Sequence, residues 1–465
     1  MKMARFSLAT TAALHGGQIL SRVESSLAST GYALVVATED FQDQRKARKF
    51  MDTSIHRQIR QDIADGKNLL ITGAAGVGKS TIIREVVKSA APSVVITAMT
   101  GVAALNVSGQ TLHKFTGIGI QTDKEYVDHL VFSHSWPLIR KVLRKTDVLV
   151  IDECSMLRSD VLELVDAVFK KATNVREPFG GKQVVMCGDF LQLPPVVRDY
   201  EDLDHPWAFQ SKVWKRCDFE IYNLTEIYRQ DDKKFINALH EIRQGNCPDW
   251  VDEMMQTREK AKLAGELKPT RFLATNNEVD VVNRKNLAKI PEESRKFLAR
   301  ITGINDTFKQ QIEQDCLAPR KLFLKRGAQV MAVKNDKDGQ YVNGSMGKVT
   351  EFSDSGFPIV KIERTGKEIE FSEDVWERKG FDGTVLARFR QIPLKLAYAV
   401  TIHKSQGLTL DVAEIDFKGI FSAGQAYVAL SRVRSLEGLR LRNWNRDYVS
   451  ANQEALEFYR KGCRS

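Results

Sequence analysis

A chain of 465 residues has room for two or three domains. Its 43% hydrophobic and 28% charged content is that of a globular protein and excludes a disordered or fibrous one. The net charge of +10, from 69 Lys and Arg against 59 Asp and Glu, points to a polyanionic partner, nucleic acid foremost, or to lysines that serve solubility alone. No apolar stretch approaches the length of a membrane span. The six cysteines form no C-x-x-C pair, which argues against a zinc site or a disulfide framework and fits a reducing compartment.

The first thirty residues carry Lys2, Arg5 and Arg22, many hydroxyls, and Glu24 as their one acid. That composition suits either a mitochondrial transit peptide or an N-terminal extension, here residues 1–50. "QRKARKF" at Gln44–Phe50 reads as a solvated basic linker or a short nuclear signal. Localisation is therefore expected to be mitochondrial or nuclear, with the mitochondrion ahead.

From about Met51 the runs "NLLITG", "SVVITA", "VLVIDE" and "QVVMCGD" read as buried parallel strands, with helical patterns at Ser80–Ala91 and Ser159–Ala172 between them. This is a doubly wound α/β layout, in which ligands gather at the carboxyl ends of strands. After Arg320 the texture alternates with glycine turns and predicts a small inserted antiparallel β-barrel at 320–391. The α/β texture then returns. The divisions are residues 51–219, a second lobe from 220–319 and 392–445, and a C-terminal tail at 446–465.

"GAAGVGKS" after a strand and before a helix fits a phosphate-binding loop. Its Gly73, Ala74, Ala75, Gly76, Val77 and Gly78 offer backbone N–H groups to an oxyanion, with Lys79, Ser80 and Thr81 opening the helix. Lys79 can reach the outer phosphates and the Ser80 hydroxyl can bind Mg²⁺, which makes a nucleoside triphosphate the expected ligand. "VLVIDECSM" ends a strand in Asp152, placed for Mg²⁺, and Glu153, placed to polarise a water. "GDFLQLPP" offers Gln192 as a sensor of the γ-phosphate. "LTEIYRQ" and "ALSRVRS" offer Arg229 and Arg432, which complete a phosphoryl-transfer site or pair with acids at the surface. "TGVAALN" and "TIHKSQG" put hydroxyl, amide and cationic groups after apolar strands, a pattern suited to phosphate contacts along a strand of nucleic acid. Phe115 is the aromatic expected to stack on a base, while Tyr341, Tyr398 and Tyr427 read as core.

The ordered motifs "GAAGVGKS", "TGVAALNVSGQTLHKF", "IDECSM", "GDFLQLPP", "LTEIYRQ", "YVNGSMGKV", "TIHKSQGLTLD" and "AYVALSRVRSLEGL" resemble those of the Pif-one family of superfamily-one DNA helicases. "DDKKFINALHEIRQG" at Asp231–Gly245 resembles that family's own signature. The resemblance implies two RecA-like lobes of the P-loop NTPase fold, ATP and Mg²⁺ in the cleft between them, and 5′-to-3′ unwinding by a monomer on single-stranded DNA and duplex junctions. It assigns the ATP site to Lys79, Ser80, Asp152, Glu153, Gln192, Arg229 and Arg432. It gives the coupling of that site to DNA to Gln406 and Gly407. DNA contacts fall to Thr100, His113, Thr401, His403 and Lys404. One departure is His56, which stands where the family has an adenine-contacting glutamine, with Gln58 and Gln61 out of register. A non-unwinding ATPase that remodels protein–nucleic-acid complexes is the alternative. A GTPase is disfavoured because no N-K-x-D motif follows the loop.

The targeting expectation has a direct test. Met1–Gly31 fused to a fluorescent reporter should carry it into mitochondria, and a diffuse reporter would contradict the transit-peptide reading.

Overall fold

The computed structural model describes residues 54–462 apart from 88–90, 92, 108, 119–125, 198–202, 231, 264–267, 274, 337, 380–383, 403–404 and 406–407. The targeting expectation at the N-terminus lies outside the described residues. So do His403, Lys404, Gln406 and Gly407. The chain divides into a unit of residues 1–60 and a unit of residues 61–465, and the second unit holds every described strand.

The first lobe is a six-stranded parallel sheet of β1 (Leu69–Gly73), β2 (Val94–Ala98), β3 (Gln110–Thr111), β4 (Val148–Asp152), β5 (Gln183–Gly188) and β6 (Glu220–Leu224) in the order β3-β2-β4-β5-β1-β6. β1 and β4 are buried along their whole length, as continuous apolar runs in a parallel sheet must be. β6 pairs with β1 from Leu69↔Glu220 to Gly73↔Leu224. The second lobe therefore cannot begin at residue 220, because the strand that starts there completes the first lobe's sheet.

Helix 159–173 packs Leu162, Val165 and Phe169 into the first lobe's core. Phe115 lies in the same core, fully buried, with its ring 6.3 Å from that of Phe169. It cannot stack on a base. The short helix Leu112–Thr116, capped by Thr111, turns Leu112, Phe115 and Thr116 inward. The C-terminal segment is not a free tail. Helix Gln453–Gly462 returns to the first lobe and sets Ala455 and Leu456 in its core.

The second lobe's sheet is also parallel, in the spatial order Ala399–Thr401, Thr270–Leu273, Ala413–Asp416, Leu439–Arg442. Between its halves lies an antiparallel module. Five strands pair in the order 368–370, 358–362, 346–352, 329–332 and 394–396, and a three-stranded sheet joins 374–379, 385–391 and 300–303. Strand Arg295–Leu298 pairs with Lys321–Leu324. The antiparallel region thus starts before residue 320, and its pairings among the described strands form separate sheets rather than one closed barrel. Alternation is as expected: Leu322 and Leu324 point inward while Lys321 and Phe323 point out. Among the described residues no helix is long and apolar enough to cross a membrane.

Truncating a fully buried aromatic ring removes both transfer free energy and packing, about 3–5 kcal/mol. Phe115→Ala should lower the urea midpoint accordingly while DNA affinity per folded molecule stays unchanged. A selective loss of DNA affinity with full stability would reinstate Phe115 as a stacking residue.

Candidate nucleotide cleft and nucleic-acid groove

β1 ends in the phosphate loop. Gly76 has φ +87°, and a Cβ there would stand 2.6 Å from the Arg229 Cβ, so only glycine lets the loop pass this close to the arginine. Lys79 Nζ donates to the carbonyls of Gly73 and Ala74 at 2.8 and 2.9 Å. The helix after the loop differs from the expected single stretch. It is α-helical only over Lys79–Ile82 and becomes a π-helical turn over Ile83–Val87, an irregularity found often at functional sites.

Asp152, at the end of β4, is buried. Its Oδ1 accepts from the Glu153 backbone N–H at 2.9 Å, and the Ser80 hydroxyl points at Oδ2 from 3.4 Å. Burial first, then the neighbouring Glu153 charge, pushes the Asp152 carboxyl up to about 7. A buried carboxylate facing a hydroxyl at a helix start is a hard-oxygen donor pair that fits Mg²⁺, which takes few protein ligands and completes its shell with water and phosphate oxygens. Among the described residues no group of three or more His, Cys, Asp or Glu side chains is placed to hold a metal ion. Glu153 adopts a left-handed backbone, φ +53°, and so leaves the strand in a direction different from that of Asp152.

Opposite the loop stand the two arginines. Arg229 Nη1 donates to the Ser431 carbonyl at 3.0 Å. Arg432 is buried, with Nε on the Val428 carbonyl at 2.9 Å and Nη2 on the Ser431 hydroxyl at 2.7 Å. Burial lowers both guanidinium pKa values. Arg432 lowers that of Arg229 further, and Glu153 offsets the shift in each. The two remain cations at neutral pH, so the cleft concentrates positive charge beside the phosphate loop. Tyr427 adds a second tie: its hydroxyl accepts from the Ala75 backbone N–H at 2.8 Å, and the tyrosine is core, as expected.

Sequence reasoning missed the group beneath the cleft. Asp189 is fully buried at the end of β5 and takes a bidentate pair from Arg243, Nε to Oδ2 at 3.0 Å and Nη2 to Oδ1 at 2.8 Å. Gln192 is buried too, and its Nε2 donates to Asp189 Oδ2 at 3.2 Å. Burial pushes the Asp189 carboxyl up, but the Arg243 charge and hydrogen bonds, then Lys79 and Gln192, more than reverse this and hold it below the usual carboxylate range. Arg243 lies in the signature segment, and its spacing from Phe235 and Leu239 on helix Lys233–Arg243 was the available signal that it faces inward.

The residues expected from sequence to contact nucleic acid are less uniformly placed. Thr100 Oγ1 accepts from the Ala103 N–H at 3.1 Å and so caps helix Gly101–Asn106. Burial lowers the His113 pKa, so its imidazole is neutral near pH 7 and offers a hydrogen bond rather than charge. Thr401 is buried rather than open to solvent. It borders a groove of about 880 Å³ that also takes in Asn276, Arg284, Lys321 and Phe323. Lys321 and Phe323 are exposed side by side with Lys296 and Leu298 across the ribbon. A cationic and aromatic lining of this kind suits a nucleic-acid backbone and its bases, and it was not singled out from sequence. Tyr341 stacks on Phe371 at 4.3 Å, and the Tyr398 hydroxyl accepts from the Gln329 N–H at 3.0 Å. His56, where the resemblance places an adenine-contacting glutamine, is buried on helix Ser54–Ala64.

The model of the PIF1-like helicases matches residues 44–253, and that of the DNA helicase Pif1 2B domain matches residues 307–352. The crystal structure of Pif1 helicase from Candida albicans is 35% identical, covers 88% of this chain and 99% of its own, and superposes with a TM-score of 0.73. The chain belongs to the PIF1-like helicase family. A Bacteroides Pif1 solved with ADP-AlF3 and single-stranded DNA is 32% identical, covering 88% of this chain and 96% of its own, with a TM-score of 0.65. The ATP-dependent DNA helicase PIF1 of Xenopus laevis is 38% identical over 406 residues, which are 86% of this chain and 63% of that protein. This chain thus spans less than two thirds of the length of that PIF1-like relative.

The Asp189–Arg243 pair has a defined pH dependence. Its depressed carboxyl pKa contributes stability that is fully present above the unfolded value near 3.9 and is lost as pH falls through the lower folded value. Asp189→Asn leaves the Arg243 charge buried and unpaired, which should destabilise by about 3–5 kcal/mol at neutral pH. The deficit, read by denaturant titration from pH 7 down to 3, should shrink toward the acid end. A pH-independent deficit would contradict the assignment.

Proposed function

We propose that this chain is an ATP-dependent DNA helicase that translocates 5′ to 3′ on single-stranded DNA and unwinds duplex or structured DNA in genome maintenance, acting as a monomer. The observation that carries the reading is the cleft itself. Lys79, Ser80, Asp152 and Glu153 stand on one side, and Arg229 and Arg432 converge on it through Ser431 on the other. An excess of buried cations beside a phosphate loop is chemistry for a polyanion whose charge redistributes during reaction. The nucleotide and single-stranded DNA bound by the Bacteroides relative agree with this reading.

In the proposed reaction Lys79 exchanges the Gly73 and Ala74 carbonyls for phosphate oxygens, and the loop N–H groups cradle the β-phosphate. Ser80 and Asp152 would hold Mg²⁺, which when bound neutralises phosphate charge. Glu153 takes the proton of the attacking water. Gln192 orients that water or senses the γ-phosphate, and Arg229 and Arg432 stabilise charge on the equatorial oxygens. The groove beside Thr401 carries the strand by contacts to phosphates and bases, which hold it without reading its sequence.

Two measurements test the reading. Glu153→Gln keeps size and hydrogen bonding, so ATP and DNA binding should persist while turnover falls about 10²-fold or more. Loss of ATP binding itself would make Glu153 structural. Unwinding should require a 5′ single-stranded tail. Equal unwinding from a 3′ tail would contradict the polarity, and hydrolysis without any unwinding would favour the remodelling ATPase.

A further inference from the structure

The C-terminal helix does more than cover the first lobe. Tyr459 turns its hydroxyl into the seam between β1 and β5. That oxygen accepts from the Phe190 backbone N–H at 3.0 Å, shares a proton with Thr72 Oγ1 at 2.6 Å, and lies 3.5 Å from Asp189 Oδ1. Thr72 is buried, pairs in register with Gly188, and immediately precedes the phosphate loop. Asp189 and Phe190 lead directly into Gln192. One phenol therefore ties the strand end that carries Lys79 to the strand end that carries Gln192. The Arg243 guanidinium, which pairs with Asp189 from the second lobe, sits 5.4 Å over the same ring.

The helix is fixed on both sides of this hydroxyl. Glu454 accepts from Trp207 Nε1 at 3.1 Å and from Gln210 Nε2 at 2.8 Å. Phe458 stacks on Phe209 at 4.5 Å and meets the Phe190 ring edge-on at 5.3 Å. Neither matched family model reaches these residues. Packing alone would be served by phenylalanine at 459. The hydroxyl is the part that reaches the nucleotide cleft's supports.

We propose that Tyr459 is a positioning residue for ATP hydrolysis: its hydroxyl holds the phosphate loop and the Gln192 turn in the register that turnover needs, and the C-terminal helix delivers it. The proposal rests on the helicase reading above, since it concerns the same cleft. Small displacements of aligned groups are expensive in rate, about 10²-fold for 1 Å, whereas nucleotide binding is spread over many loop N–H groups. Loss of the hydroxyl should thus fall on kcat and spare KM.

The test is steady-state ATP hydrolysis by the full chain with single-stranded DNA, alongside equilibrium binding of a non-hydrolysable ATP analogue and the denaturation midpoint. Tyr459→Phe should lower kcat about tenfold or more, with KM and analogue affinity within about threefold. Thr72→Val should do the same, Thr72→Ser should restore the rate, and the double variant Tyr459→Phe/Thr72→Val should be no slower than the slower single, as for groups that act as a unit. Trp207→Phe removes one of Glu454's two hydrogen bonds while Gln210 keeps the helix and its hydroxyl in place, and should lower the midpoint while leaving kcat within about twofold. The proposal is overturned if Tyr459→Phe keeps the wild-type kcat, if the loss appears in KM, if Trp207→Phe loses as much rate, or if the two hydroxyl variants add. Should Tyr459→Phe not fold, the Thr72 pair alone decides. A wild-type chain without DNA-stimulated hydrolysis would instead sink the helicase reading and this inference with it, so the two failures are distinguishable.

Discussion

The buried pair of Asp189 and Arg243 constrains the rest of the cleft. A carboxylate with no exposure needs a partner that is equally committed, and that partner comes from the helix Lys233–Arg243, whose apolar face belongs to the second lobe's core. The pair therefore fixes the signature helix against the end of β5. Gln192 then hangs from the same carboxylate, and the second lobe approaches closely behind it. At Gly424, with φ +77°, a Cβ would lie 2.3 Å from the Gln192 carbonyl, so the helix bearing Tyr427 begins in contact with the Gln192 loop. An ion pair of this kind is weak evidence for stability in general, but here its position makes it a reference point for the groups around it.

Charge gives the cleft its second constraint. Asp152 is disfavoured as an anion by burial and by Glu153, while Arg229 and Arg432 are disfavoured as cations by burial, with Arg432 adding to the effect on Arg229. The surroundings of each of these groups oppose its charged form. A bound polyanion would relieve the arginines and a cation would relieve Asp152, which is what the proposed ATP with Mg²⁺ would supply. The lysine of the loop directs its donors to its own loop's carbonyls.

Much of this was legible in the sequence because the motifs are local. A phosphate loop, an Asp-Glu pair after an apolar strand, and a Gln in a proline-stiffened turn each declare their chemistry within about ten residues. What was not legible depends on long-range pairing. Nothing in "EIYNL" tells which sheet it joins, and only the register with β1 assigns it to the first lobe. The C-terminal residues looked like a tail because their apolar positions, Ala455, Leu456, Phe458 and Tyr459, meet partners far away in the chain, as Tyr459 meets Thr72. Phe115 was misread for a subtler reason. Its motif was expected to contact nucleic acid, but its spacing of three from Leu112 on a short helix put it on the inward face, and that spacing was the better guide.

The central claim is that this cleft turns over ATP under the control of a bound strand. Steady-state ATP hydrolysis by the purified full chain, with and without a saturating single-stranded DNA oligonucleotide at fixed Mg²⁺ and salt, tests it most directly. The expected result is a slow basal rate and a DNA-stimulated rate at least about tenfold higher, lost as the salt concentration rises and the strand dissociates. Hydrolysis that is absent, or that proceeds at one rate whether or not DNA is present, would contradict it.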